Sequence, residues 1–217
     1  MKFFLEIKNK KIAAGLFGIH YKEGYNHWMG WVTNIDWKTS NYKDTVLKLL
    51  NESGNRVDHY FSTYESPKSG DLLLDFTPIK YKFTPFGSNK PTNKTPSVFR
   101  HNRFKETLNL IPEGYDYYLI TRFDLKFSPE HLLQAEVNDD AVNVSSRWCS
   151  GDKCDDVCDN FYIISNRYFN IFKDFINNIP EHTCYHTINR MDNKPEISFM
   201  IEGEYYSHTC PMYQTLR

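Results

Sequence analysis

After the charged start MKFFLEIKNKK, Ile12-Ala13-Ala14-Gly15-Leu16-Phe17-Gly18-Ile19 forms one short apolar run. Such a run, closed by glycine, predicts a buried first strand. Ser40 or Asn41 can cap a following helix with Val46, Leu49 and Leu50 as its apolar stripe and Gly54 as its stop. Val57–Tyr64 alternates apolar and polar positions, which predicts a second strand closed by Glu65-Ser66-Pro67. Strand, helix, strand in this order predicts a parallel α/β layer.

Residues 66–96 hold Pro67, Pro78, Pro85, Pro91 and Pro96, with Leu72-Leu73-Leu74 and Tyr81-Lys82-Phe83 as the strand-like pieces. They predict a long excursion whose most mobile part is Gly87–Pro96. A helix begins at Ser97 and ends at Pro112 and Gly114. The aromatic run Tyr115–Phe127 then predicts a central strand, broken by Ser128-Pro129. Beyond it the pattern predicts a helix from Pro129 to about Val137, a strand Ala141–Trp148, a cysteine-rich turn Cys149–Cys158 and a strand Phe161–Ile164. Phe169, Phe172, Phe175 or Ile176, and Ile179 keep a helical period up to Pro180, and Pro195 at a first-turn position opens a last helix, Glu196–Ile201. The regular pattern resumes after the excursion, so residues 1–217 read as a single domain, which can itself be one domain of a longer polypeptide.

Composition narrows the classes. A chain that is 40% hydrophobic and 16% aromatic can bury a sizeable core. Twenty-six basic against 27 acidic residues leave no bulk field to gather nucleic acid or an anionic membrane. No segment approaches the roughly 20 apolar residues of a spanning helix, and the N-terminal run is too short for a signal peptide. The chain therefore reads as soluble and cytoplasmic, and the sequons at Asn51, Asn93 and Asn143 as incidental. Five cysteines, an odd number, argue against a secreted disulfide framework.

Several groups could carry chemistry, each with a plainer alternative. Trp28, Trp31 and Trp37 form either a packed flap or a sugar-stacking surface. Arg100, His101, Arg103 and Lys105 form either a solvated helix face or an anion site near a helix start. Arg122 and Asp124 stand where a buried strand runs out, the place where open α/β sheets bind ligands. They read either as an ion pair or as a phosphate-binding guanidinium beside a metal-binding carboxylate. Asp155, Asp156 and Asp159 make an acidic turn that is either solvated or a source of acid/base chemistry. Cys149, Cys154 and Cys158, with Cys184 and His182 or His186, lack paired CxxC knuckles, so a local disulfide or buried thiols are favoured over structural zinc. There is no G-x-S-x-G elbow, P-loop or G-x-G-x-x-G fingerprint.

Four blocks together resemble the GT-A-type glycosyltransferases that build capsular, lipopolysaccharide and large-DNA-virus glycans: KIAAGLFGIHY, SVFRHNRFKETLNLIPEGYDYYLITRFDLKF, CDNFYIISNRYFNIF and NKPEISFMIE. The resemblance implies a three-layer α/β domain with a central, mostly parallel mixed sheet flanked by helices. It implies a nucleotide-sugar donor, a UDP-sugar favoured, and a glycan or glycoprotein acceptor, in the host cytoplasm if the protein is viral. Gly15, Phe17 and Gly18 would then lie along the nucleotide, Thr63 and Tyr64 near its base or ribose, and Arg100, Arg103 and Arg122 near its diphosphate. Asp124 would hold Mn²⁺ or Mg²⁺, Asp159 would bind donor or acceptor hydroxyls, and Glu196 would be a late-chain carboxylate. The usual Asp-x-Asp is Asp124-Leu125-Lys126 here, so the second carboxylate is missing. A non-catalytic sugar-nucleotide- or glycan-binding module and a zinc-stabilised interaction domain are the competing classes.

Overall fold

The computed structural model describes residues 1–23, 25–26, 31–32, 34–85, 96–150, 153–158, 160–180, 185–206 and 210–215; within these, the side chains of 25–26, 31–32, 96–100, 148–150, 153–155, 185–186 and 203–206 are not described. The central sheet contains strands β1 (Lys11–Gly18), β2 (Arg56–Tyr64), β3 (Lys80–Thr84), β4 (Tyr117–Arg122), β5 (Val142–Ser150), β6 (Lys153–Val157), β7 (Phe161–Ser165) and β8 (Ile197–Tyr206). Their order is β3-β2-β1-β4-β7-β5-β8, with β6 continuing the edge of β5 beyond β7. Strands β3, β2, β1 and β4 are mutually parallel, β7 runs against β4 and β5, and β8 is parallel to β5. The result is the expected three-layer arrangement of a mixed, mostly parallel sheet between helices.

The alternation within β1 explains the layers. Ile12 and Leu16 enter one apolar cluster, with Val46 and Leu50 around α1 (Lys48–Glu52) and Leu72 and Phe76 of α2 (Ser69–Phe76). Ala13 and Phe17 enter the other, with Phe104 and Leu108 of α3 (Pro96–Leu110) and Phe169, Phe172 and Ile176 of α4 (Asn166–Asn178). A strand covered on both faces needs apolar residues at every position, and so its sequence shows a run rather than an alternation.

Chain order and strand order together create a switch point. From β1 the chain steps through α1 to β2 and through α2 to β3, on one face. It then returns through α3 on the opposite face to place β4 on the other side of β1. The crossovers leave β1 in opposite directions, which opens a crevice at the carboxyl ends of β1 and β4.

Five expectations change. The turn expected over Cys149–Cys158 is a hairpin instead, β5 running to Ser150 and β6 taking Lys153–Val157. Leu72-Leu73-Leu74 is helical, because Leu72 and Phe76, four residues apart, bury together while Leu74 is 81% exposed. Tyr115–Phe127 is not one strand: β4 stops at Arg122, Phe123-Asp124 turn, and Leu125–Phe127 pairs instead with Tyr213–Thr215. Pro129–Gln134 is a helix, but Glu136–Val137 after it pairs with Lys2–Phe3 as a short strand. The last helix expected over Glu196–Ile201 is the start of β8, in register with β5 from Val142 onward, so a tertiary strand pairing overrides the proline signal. The expected mobile stretch Gly87–Pro96 lies almost wholly outside the described residues.

Gly15 faces α3. A Cβ built there would stand 2.8 Å from Ile120 Cδ1 and 2.9 Å from both Ile111 Cδ1 and Thr107 Cγ2. Its missing side chain thus lets α3 lie close on the sheet. Gly15→Ala is expected to cost about 1–3 kcal/mol by overpacking, measured as a lower denaturant midpoint at unchanged slope.

Candidate active site

The carboxyl ends of β1, β2 and β4 bring Gly18, Thr63 and Arg122 side by side, Gly18 being in register with Thr63 and Phe17 with Arg122. Gly18 has φ +97°, a conformation that turns the chain out of the sheet and disfavours any side chain. Thr63 Oγ1 donates to the Gly18 carbonyl at 2.7 Å.

With that hydroxyl proton committed, the His20 Nδ1 at 2.8 Å from Thr63 Oγ1 must be the donor, and His20 Nε2 accepts from Ser66 Oγ at 2.8 Å. The ring is therefore a neutral Nδ1–H tautomer that ties the end of β1 to the loop after β2. Burial, opposed by Asp36, lowers its pKa to about 4. His59 is lowered to about 4 as well, by burial and by Lys43, with Asp58 opposing.

At the end of β4 the turn is pinned from both sides. Phe123 packs edge-on against Phe61 and Phe76, and its amide donates to the Phe17 carbonyl at 3.3 Å. Asp124 is thereby folded back under Arg122. Arg122 Nε donates to Asp124 Oδ1 at 2.7 Å, Nη2 donates to Oδ2, and Nη1 donates to Asn160 Oδ1 at 3.2 Å. The Asp124 side chain is 3% exposed and that of Arg122 17%, so the carboxylate is the inner partner and the guanidinium the outer one.

This settles the geometry of the pair and limits what Asp124 can hold. Both of its oxygens are engaged by Arg122, and no group of three His, Cys, Asp or Glu side chains suited to a metal ion occurs among the described residues. Asp124, the residue expected to hold Mn²⁺ or Mg²⁺, would have to share an oxygen between the cation and Arg122. Asp159 and Cys184 lie outside the described residues, as do the side chains of Arg100, Cys149, Cys154 and His186.

Among the described residues the α3 cations do not form one anion-binding face. Arg103 is buried, donates from Nη2 to Glu106 at 3.0 Å, and lies 5.3 Å over the Tyr64 ring. Glu106 also accepts from Ser62 Oγ at 2.6 Å and Lys82 Nζ at 2.7 Å. Lys105 points the other way, to the Ile179 carbonyl that ends α4 at 2.7 Å. Burial, with Arg103 opposing, pushes the Tyr64 phenol up to about 12. Tyr64 and Arg103 therefore brace the β2–α3 contact.

Of the remaining expected residues, Phe17 is in the core against Phe104, and Glu196 is exposed at the amino end of β8, where its carbonyl accepts from Val142. The sheet thus brings Gly18, Thr63, Arg122 and Asp124 together and leaves Glu196 at its other end. His20, Ser66 and Asn160 belong to the assembled site without any signal of periodicity or spacing to mark them. Trp37 is buried and donates from Nε1 to Asp75 at 2.8 Å, which is the packed-flap arrangement. It helps line a cleft of about 260 Å³ with Leu16, Tyr42, Lys43, Phe76 and Phe123.

The fold and site define a doubly wound α/β protein with an arginine, paired to a buried aspartate, at its switch-point crevice. No protein-family model and no curated protein matches the chain. Solved structures of loosely similar shape include the inositol-1-phosphate CTP transferase from T. maritima, at 10% identity over 91% of this chain and 86% of that one, with a TM-score of 0.47. The nucleoside-diphosphate-sugar pyrophosphorylase from Vibrio cholerae RC9 aligns at 7% identity over 94% and 95%, with a TM-score of 0.48. The glycosyltransferase GlyE of Streptococcus pneumoniae TIGR4 aligns at 12% identity over 88% of this chain and 45% of that one, with a TM-score of 0.38. Likeness at this level leaves function to be argued from the site.

Two outcomes are expected. Asp124→Ala leaves the guanidinium without its inner partner and should destabilise the fold by about 3–5 kcal/mol in denaturant unfolding. The neutral histidines make the unfolded chain bind more protons than the folded one between pH 6.5 and about 4. Stability should therefore fall as pH drops through that window, by on the order of 3 kcal/mol per histidine. His20→Gln should flatten the profile of stability against pH relative to the wild type.

Proposed function

We propose that this protein is a glycosyltransferase that moves a sugar from a nucleotide-diphosphate donor, a UDP-sugar favoured, to a glycan or glycoprotein acceptor. One observation carries the reading: a guanidinium held outward and in a fixed plane by Asp124 and Asn160 at the switch point of a doubly wound sheet. Planar, preorganised donors suit phosphate oxygens, and the resemblance of the four sequence blocks points to the same donor class.

In the proposed reaction the acceptor hydroxyl oxygen attacks the anomeric carbon, the bond to the diphosphate breaks, and negative charge grows on the departing nucleoside diphosphate. Arg122 stabilises that charge without reorganising, because its position is already set. Gly18, with no side chain and φ +97°, lets the donor approach the end of β1, and Thr63 is held beside it. Arg100 is assigned a second contact to the diphosphate. The acceptor proton is assigned to Asp159, the residue before the Asn160 that braces Arg122. Asp124 acts as the positioning residue for Arg122, and no step is routed through a metal.

A binding module without turnover is the second reading, favoured by the engagement of both Asp124 oxygens, which withdraws that carboxylate from chemistry. Thermal melting with a panel of nucleoside diphosphates, with and without Mn²⁺, tests both. UDP is expected to raise the melting temperature, and Arg122→Gln to weaken its binding about 10- to 100-fold. UDP-sugar consumption with acceptors supplied then separates enzyme from module. If no nucleoside diphosphate shifts melting at any metal concentration, both readings fail.

A further inference from the structure

Two buried thiols sit directly behind the site. Cys158 follows β6 and precedes Asn160, the brace of Arg122, by two residues. Cys210 is bridged to Tyr213, in the segment that pairs with Leu125–Phe127 immediately after Asp124. Their sulfurs share one hydroxyl: Ser146 Oγ on β5 donates to Cys158 Sγ at 3.3 Å and lies 3.6 Å from Cys210 Sγ. Position is held by backbone on either side, the Cys158 amide donating to the Ser146 carbonyl at 3.0 Å and the Ser128 amide to the Met212 carbonyl at 2.8 Å.

We propose that Cys158 and Cys210 are a redox-active dithiol that hydrogen peroxide converts to a disulfide, clamping together the two segments that flank the Arg122–Asp124 pair. Burial disfavours the Cys210 thiolate, but hydrogen bonds from Cys158, Ser145, Ser146 and the Met212 backbone outweigh it and bring the thiol to about 6. A thiolate is the form that attacks peroxide. The Cys210 sulfur takes one peroxide oxygen, the O–O bond breaks, and the departing hydroxide is protonated to water, leaving a sulfenic acid. The Cys158 sulfur then attacks that sulfur, the S–O bond breaks, and a second water leaves with the Cys158 proton. Two thiols and one peroxide thus become one disulfide and two waters. Cys158 and Cys210 are 6% and 8% exposed, and peroxide is close to water in size.

The clamp would join chain segments far apart in sequence, and such a link restrains the unfolded chain. The test needs no nucleotide, so it stands or falls apart from the proposed transfer reaction. The intact protein is treated with hydrogen peroxide, unfolded, alkylated and mapped by mass spectrometry. The expected result is a Cys158–Cys210 cross-linked peptide that a dithiol reductant returns to two alkylatable thiols, with a higher melting temperature in the oxidised form. Cys158→Ser should lose both effects and leave a Cys210 sulfenic acid that dimedone traps. If both wild-type thiols stay fully alkylatable after peroxide, if the cross-link joins another pair, or if Cys210 goes to the sulfinic acid with no disulfide, the proposal is overturned. The wild-type map decides the matter even if the serine variant does not fold.

Discussion

The ion pair between Arg122 and Asp124 is the constraint on which the arrangement around the crevice depends. Two residues apart along an extended strand, these side chains would stand on one face, several ångströms apart. They meet in a two-oxygen, two-nitrogen contact because β4 ends at Arg122 and the next two residues turn. The turn then sends Leu125–Phe127 away from the main sheet, to be paired with Tyr213–Thr215 and stitched to the β1–α1 segment. There Ser40 Oγ donates to the Leu125 carbonyl at 2.7 Å, and Asn41 Nδ2 to that of Phe127 at 2.8 Å. One turn at the end of the central strand thus both closes the charged contact and carries the chain to the distant segments gathered behind it.

Charge at that depth is stable only when paired, since an unpartnered buried ion costs several kcal/mol. The surrounding polar groups obey the same rule. Thr63, His20 and Ser66 form a chain in which each hydrogen has one acceptor, and Glu106 gathers Ser62, Lys82 and Arg103 on the opposite side of β2. These networks hold the strand ends rigid. A rigid guanidinium facing the crevice can meet developing negative charge without moving, which is what the transfer of a sugar from a diphosphate would ask of it.

Much of the fold was legible along the chain. The apolar runs at Lys11–Gly18 and Tyr117–Arg122 and the helical stripe Phe169, Phe172 and Ile176 are local patterns set by burial on one or two faces, and the structure keeps them. The misreadings fall where local signals were weak or contested. Leu72-Leu73-Leu74 looks the same in a strand or a helix until Phe76 shows which face is buried. Ile197–Tyr206 carries a proline just ahead of it that suits a helix, and only the open edge of β5 makes it a strand. The Arg122–Asp124 spacing admitted both an ion pair and a metal-and-phosphate site, because sequence gives separation along the chain and not the turn between.

By itself, the sequence determined the layers, since hydrophobic periodicity reports which faces must leave water, and it placed Gly18, Thr63 and Arg122 towards the far ends of strands. Only the tertiary structure decided that Gly15 serves helix packing and that Asp124 faces inward with Arg122 outside it. It alone placed Asn160 and His20 at the crevice and Cys158 and Cys210 in the core behind it, and left Glu196 beyond it. The reason is physical. Burial is a property of each residue and leaves a trace in local pattern, whereas hydrogen bonds such as that between His20 and Thr63 join groups distant in the chain, whose meeting depends on the order and register of strands.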